Sequence, residues 1–308
     1  MVRRKWNVAM LLLAMLALSA CRPIQAPAEP VANKVLMNQL AEAWSTGAPE
    51  LIDKALKPEF VLHQVEFPGI ASAHDYWLFI YDVHSFAPDF KATFSDVLAD
   101  GDWVIARGLL EATPPSDGRH ARYGALHMAR VADGQIAELW TVTDEIAVNK
   151  YFGEIPNPGD RADFSWGDDG AMQGVTGTRE ENMALVRQWL EGDDAARQAL
   201  ASEQFMFHST MYPEQHAFQD RTAIMEELRT AFPDLTITVE EPMIAEGDKV
   251  GVRFTMQGAN TGPFLDREAS GKTFTWPGMA VYRILDGTIV EEWILWSGYY
   301  VYSEIRGW

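Results

Sequence analysis

One cysteine, Cys21, is all the thiol chemistry in this chain of 308 residues. A single thiol excludes a disulfide framework and cysteine-based metal cages, so packing must hold the fold together. Basic residues are scarce as well: 25 Lys and Arg stand against 44 Asp and Glu, a formal net charge of −19. Such a field repels phosphate backbones and argues against a nucleic-acid partner. No apolar run reaches the roughly 20 residues that a membrane-spanning helix needs. Seven histidines are present, but none falls in a zinc-ligand spacing, so no metal site is expected. Apolar content of 47% with 11 tryptophans excludes general disorder.

The apolar run that does occur, Val8 to Leu18, follows Arg3, Arg4 and Lys5 and reads as an export signal over residues 1–20. It ends in Leu18-Ser19-Ala20-Cys21, which resembles the bacterial lipobox, and that resemblance implies lipidation of Cys21. Residues 21–31, rich in Pro and Ala, form an expected tether. The expectation is a lipoprotein of the bacterial cell envelope, held to a membrane by its acyl chains and facing out of the cytoplasm.

The remainder of the chain repeats itself. Trp44 and Trp189, Gly47 and Gly192, Phe60 and Phe205, His63 and His208, and Pro88-Asp89 and Pro233-Asp234 all lie 145 positions apart. One inserted residue moves the register so that Gly101-Asp102 matches Gly247-Asp248 and Arg107 matches Arg253. A longer insertion then sets Arg130 against Arg283, Glu138 against Glu291 and Trp140 against Trp293. A unit this long is a domain rather than a solenoid repeat. Domains are expected over 32–155 and 178–308, with a Pro/Gly/Asp-rich linker over 156–177.

Each copy begins with helical periodicity, from Asn33 to Trp44 and after the Thr178/Glu181 capping box. Short strands follow at Phe60–Val65 and Phe205–Thr210, each with its histidine at the fourth position. Second helices begin near Ser72/Asp75 and at Asp220, and both stop at Pro-Asp. Four strands joined by turns such as Asp100-Gly101 and Asp133-Gly134 complete the copy. Helices followed by a meander give an α+β class, with helices packed on a curved, mostly antiparallel sheet.

In the second copy the series Phe232-Pro233-Asp234, Glu246-Gly247-Asp248, Thr261-Gly262-Pro263-Phe264-Leu265 and Asp286-Gly287-Thr288-Ile289-Val290-Glu291-Glu292-Trp293 resembles the SnoaL-like polyketide cyclases. These belong to the superfamily built like nuclear transport factor 2. The resemblance covers Thr178 to Trp308 and, more weakly, Asn33 to Ile155. It implies two tandem cone-shaped α+β barrels, each with a pocket between sheet and helices. In the cyclases it also implies an aspartate a few residues past the Glu-x-Trp of the last strand, working as acid and base without metal or cofactor. Asp144 stands four residues after Trp140, whereas the second copy has Ser297 there, which cannot serve as that base.

Strand alternation sets Asp144 on one face with Val142, Trp140 and Glu138, either as a catalytic carboxylate or as a strand-end cap. His63, Tyr76 and His127 are expected near it. His63 recurs as His208, which favours a structural or pocket-lining role for the pair, whereas His127 faces Ala280 across the copies and accompanies Asp144. Tyr76, Trp140, His208, Trp276 and Trp293 are candidate ligand-binding residues on an aromatic-lined pocket. Glu138 and Glu291 are expected either on the pocket floor or in salt bridges to Arg107 and Arg253. The run Tyr299-Tyr300-Val301-Tyr302 is expected on the partner domain's sheet, completing an intramolecular pseudo-dimer that leaves homodimerisation open. Two functions follow: a module binding a small apolar or aromatic ligand, or an acid–base enzyme of cyclase or isomerase type acting on a carbonyl compound, such as a polyketide-like substrate, through Asp144 aided by His63 or His127.

Overall fold

The computed structural model describes residues 30–113, 120–145, 166–167, 172–209, 211–212 and 216–307. The export signal, Cys21, most of the tether and most of the linker lie outside the described residues. In the first copy α1 (Pro30–Thr46) and α2 (Pro49–Ala55) lead into β1 (Leu56–His63), followed by α3 (Ala73–Phe86). The meander β2 (Lys91–Asp100), β3 (Trp103–Ala112), β4 (Ala121–Ala132) and β5 (Gln135–Thr143) closes it. The second copy repeats the order as α4 (Arg179–Glu191), α5 (Asp194–Leu200), β6 (Ala201–His208), α6 (Phe218–Ala231), β7 (Thr236–Glu246), β8 (Lys249–Ala259), β9 (Thr273–Leu285) and β10 (Thr288–Trp296). It ends on α7 (Gly298–Arg306).

Local chemistry accounts for the boundaries. Ser72 caps α3 by accepting from the Asp75 amide at 3.1 Å, and Thr178 and Glu181 form a reciprocal capping box on α4. Asp133 and Gly134 both take positive φ, as a tight primed turn between β4 and β5 requires. Both short strands begin four residues earlier than their sequence pattern predicts. Lys57, Pro58 and Glu59 break the apolar pattern at the start of β1, as Ser202, Glu203 and Gln204 do in β6; the hydrophobic periodicity becomes legible only at Phe60 and Phe205.

Each copy is one five-stranded sheet, in the orders β1-β5-β4-β3-β2 and β6-β10-β9-β8-β7, with the first strand parallel and the rest antiparallel. Irregular pairing between Ser95 and Leu98, and between Glu240 and Ile244, bends β2 and β7 at matched places. Helices cover the concave side, so the chain forms two tandem cone-like α+β barrels, each with its own core.

A third core joins them. Leu98, Ile105, Leu126, Met128 and Val142 of the first sheet pack against Ile244, Met279, Val281, Trp293 and Leu295 of the second, with Trp166 between. Trp166 donates its indole N–H to the Gly108 carbonyl at 2.7 Å and accepts at its own carbonyl from Trp293 at 3.0 Å. The contacts are reciprocal: the Arg107 guanidinium lies 4.1 Å from the Trp293 ring centroid, and Arg253 lies 4.2 Å from that of Trp140. The two sheets pack tightly at Gly251, where a Cβ would meet Ile105 Cγ2 at 2.3 Å.

Two expectations fail here. Arg107 pairs with Asp96 at 3.1 Å and Arg253 with Glu240 at 3.0 Å, each across a neighbouring strand. Glu138 instead takes Arg130, and Glu291 takes Arg283, because those arginines stand directly opposite them in the ladder. Among the described residues the tyrosine run packs against its own copy instead of the other domain's sheet. It forms α7, whose Val301 and Tyr302 are buried in the core of their own copy.

Candidate functional site

Sheet and helices in the first copy do not fill the space between them. A cavity of about 300 Å³ remains, walled by Trp44 of α1, Tyr76, Phe79, Val83 and Phe86 of α3, and Phe90, Phe94, Leu110 and Tyr123 from the sheet and its approach. Its polar lining comes from Gln64, Asp82, His127, Thr141, Thr143 and Glu145. A largely apolar hollow with a few convergent polar groups is the general form of a small-molecule site.

His127 is 4% exposed and stacks on Phe94, with ring centroids 4.5 Å apart. Its Nδ1 lies 3.1 Å from Thr141 Oγ1, while Nε2 is buried without a hydrogen-bond partner. Gly108 makes room for the ring, since a Cβ there would meet Nε2 at 3.1 Å. Burial pushes the imidazole down to about 3, so it is neutral at physiological pH. Tyr76 is held by the Trp44 indole N–H, which donates to its hydroxyl at 2.8 Å.

Glu145, immediately after β5, lines the same cavity. Burial first, then the charges of Glu66 and Asp144, raise its carboxyl from 4.5 to about 8. It therefore carries a proton at neutral pH and can donate a hydrogen bond or yield that proton.

Of the candidates drawn from the sequence, Tyr76 and His127 share this cavity. Asp144 does not line it. The inward row of β5 is Thr141 and Thr143, continued by Glu145, and the alternate row places Val142 in the core between the domains. Asp144 is 2% exposed, with its amide donating to the Gly124 carbonyl at 3.2 Å, and its charge acts on Tyr212 of the second copy. Trp140 and Trp293 belong to that outer face too. His63 stacks on Trp140 at 4.4 Å and meets Glu138 at 2.9 Å; His208 stacks on Trp293 at 5.3 Å and lies 3.5 Å from Glu291. The two histidines repeat one arrangement, and neither lines the cavity. Trp276 is buried in the second core against Phe232.

That second core shows where a matching cavity is lost. Where the first copy has Gly108, Ala121, Tyr123, Thr141 and Thr143, the second has Phe254, Phe274, Trp276, Ile294 and Trp296, all buried together. Phe254 can lie over β9 because Gly278 has no side chain to meet it. At the position of Tyr76 stands Arg221, ion-paired with Glu292, which also accepts from the Tyr282 hydroxyl at 2.9 Å and the Trp189 indole at 3.2 Å. Among the described residues these rings pack together, and Glu292 matches the Arg221 charge.

Sequence comparison agrees with this architecture. The family described as SnoaL-like polyketide cyclase matches residues 34–150 and again 182–304. The chain belongs to the SnoaL-like polyketide cyclase family. Among solved structures, TsrD from Streptomyces laurentii is 21% identical over 42% of this chain and 99% of its own, with a TM-score of 0.39. IdmH from Streptomyces antibioticus is 28% identical over 39% and 98%, TM-score 0.35. An LEH-like epoxide hydrolase from M. tuberculosis is 16% identical over 41% and 93%, TM-score 0.36. No match is found among curated proteins. Each SnoaL-like domain therefore has the fold of a ligand-binding or enzymatic domain, and among the described residues no cluster of His, Cys, Asp and Glu has the geometry to hold a metal.

Proposed function

We propose that this SnoaL-like protein is an envelope lipoprotein, anchored through Cys21, whose first domain takes up a small, largely apolar aromatic molecule. The second domain serves as its scaffold. The observation that carries this reading is the contrast between copies, a hollow of about 300 Å³ in one and packed aromatic rings in the other. An unfilled apolar space costs stability, about 24 cal/mol per Å³ in engineered cavities, so a retained hollow argues for an occupant. The anchor is supported by the lipobox-like end of the apolar run; among the described residues no helix is long and apolar enough to cross a membrane.

The second reading is an acid–base enzyme acting on a carbonyl compound, and one observation favours it: protonated Glu145 and neutral His127 face one apolar space. In that reading Glu145 replaces Asp144 as proton donor. Titrating the mature protein with the neutral probe 2-(2-naphthyl)ethanol, followed by tryptophan fluorescence, tests the binding reading. Saturable one-to-one binding is expected, unchanged within twofold by Asp144→Asn; absence of saturation removes it. If a carbonyl substrate is turned over, Glu145→Gln is expected to stop turnover while Asp144→Asn preserves it.

A further inference from the structure

The helix that covers the cavity differs on its outer face from its counterpart in the second copy. α3 and α6 match position for position, with Tyr76 against Arg221 and Phe79 against Ile224 on the inward rows. On the outward row the first copy has Trp77, Leu78 and Tyr81, where the second has Thr222, Ala223 and Glu226. Leu78 is 41% exposed and Tyr81 56%. Half-buried Trp77 lies between His74 and Tyr81, 5.8 Å from each ring centroid, so three rings form a ladder along the helix. From Ala73 to Phe86, α3 has no Lys, Arg or Glu, whereas α6 carries Arg221, Glu226, Glu227 and Arg229. Packing on the sheet accounts for the inward rows of both helices, but it does not require an aromatic outer row on one of them. A contiguous apolar face left in water marks a surface that meets something outside the domain.

The length of the tether says what that is. α1 begins at Pro30, nine residues after Cys21, and nine extended residues span at most about 30 Å. A domain of this length is about 30 Å across. A lipidated Cys21 therefore holds the first domain within about its own width of a bilayer. Trp and Tyr are the side chains that settle at the boundary between headgroups and acyl chains, with the ring in the apolar layer and the N–H or O–H in the wet one. The net charge of −19 and the lack of basic residues on α3 leave burial of apolar surface, not attraction to anionic headgroups, as the driving force.

Resting on the lipid-anchor reading above, we propose that the outer face of α3 docks on the bilayer that carries the anchor, with Trp77, Leu78 and Tyr81 in the interfacial layer of zwitterionic lipid. The inward row of the same helix, Tyr76, Phe79 and Val83, walls the cavity. Docking sets that wall against the lipid phase in which an apolar ligand concentrates, and so shortens the ligand's path through water. The second copy, packed with aromatic rings inside, keeps a charged outer row on the same helix.

Site-specific fluorescence tests this. Cys21 is the chain's one cysteine and is acylated in the anchored protein, so an introduced cysteine alone takes a bimane label. Leu78→Cys and Ala223→Cys mark matched, exposed positions on α3 and α6. Each lipidated mature chain is reconstituted in phosphatidylcholine vesicles and read against iodide in the water and a nitroxide-bearing lipid in the bilayer. Iodide quenching is expected to be at least fivefold weaker at 78 than at 223, and lipid quenching at least fivefold stronger. Adding Tyr81→Glu to the Leu78→Cys chain should restore iodide quenching at least twofold without changing the melting midpoint. Equal iodide quenching at the two positions, in chains that float with the vesicles, overturns the docking and leaves the anchor standing. Chains that do not float overturn both. Shielding of position 78 that also occurs in the unlipidated Cys21→Ser chain without vesicles assigns the face to a second copy of this chain and overturns the bilayer.

Discussion

Filling the first cavity the way the second copy fills its own gives the most searching mutational experiment. Ala121 is 1% exposed, lines the hollow, and corresponds to buried Phe274. Ala121→Phe adds a benzene ring of about 100 Å³, roughly a third of the cavity; at about 24 cal/mol per Å³ of void removed, the gain is about 2 kcal/mol. Overpacking a core that is already full would instead cost about 1–3 kcal/mol. The two cases differ in sign. For a cooperative unit of this size, about 2 kcal/mol corresponds to a rise in Tm of about 4–8 °C by calorimetry. Binding of 2-(2-naphthyl)ethanol should weaken at least tenfold in the same variant, because the introduced ring occupies its place. A fall in Tm with unaltered probe binding would refute the reasoning, since it would mean that the space is closed to a ring and that the probe sits elsewhere.

Gly251→Val should cost about 1–3 kcal/mol, because the added methyl groups enter space that Ile105 already occupies, and Ile105→Ala in the same chain should restore part of the loss in a chemical-denaturation cycle. Two buried groups contribute limbs of opposite sign that offset each other between about pH 4.5 and 6.5, so net stability should fall above about 6.5 and below about 4.5. As pH rises between about 4.5 and 8 the unfolded chain releases the Glu145 proton that the folded chain keeps, so stability declines by at most about 5 kcal/mol, and Glu145→Gln should flatten that limb of a urea-midpoint profile. As pH falls below 6.5 the unfolded chain protonates His127 while the folded chain holds it neutral to about 3, so stability declines again, and His127→Gln should flatten that limb. Cys21→Ser should abolish incorporation of labelled palmitate and release the protein from the membrane fraction; label retained in the variant would remove the anchor from the account.

Much of the architecture is legible in the sequence because it is written twice. Matched pairs such as Trp44/Trp189 and His63/His208 expose the repeat, and local signals such as Ser72/Asp75, Thr178/Glu181 and Asp133-Gly134 mark element ends that the structure reproduces. The site is harder to read, and β5 shows why. Its apolar face, Trp140 and Val142, looks like the inside of a barrel, yet it is buried by the other domain. The cavity side carries Thr141, Thr143 and Glu145, which alternation alone assigns to solvent. Choosing the wrong face shifts attention by one residue, from Glu145 to Asp144. A signal was present: Thr141 and Thr143 correspond to Ile294 and Trp296, and two polar-to-apolar exchanges on one side of a strand mark an interior filled in one copy and open in the other. Trp166, in a segment with little periodicity, gives no sequence hint of its place between the domains.

Locating a bound aromatic probe by X-ray crystallography of the mature protein tests the central claim most directly. The account predicts density for one naphthyl group in the first domain, enclosed by Tyr76, Phe94 and Tyr123 with its polar end toward Glu145, and none among Phe254, Trp276 and Trp296 of the second. A probe found in the second core, or on the face formed by Trp140 and Asp144, would contradict it.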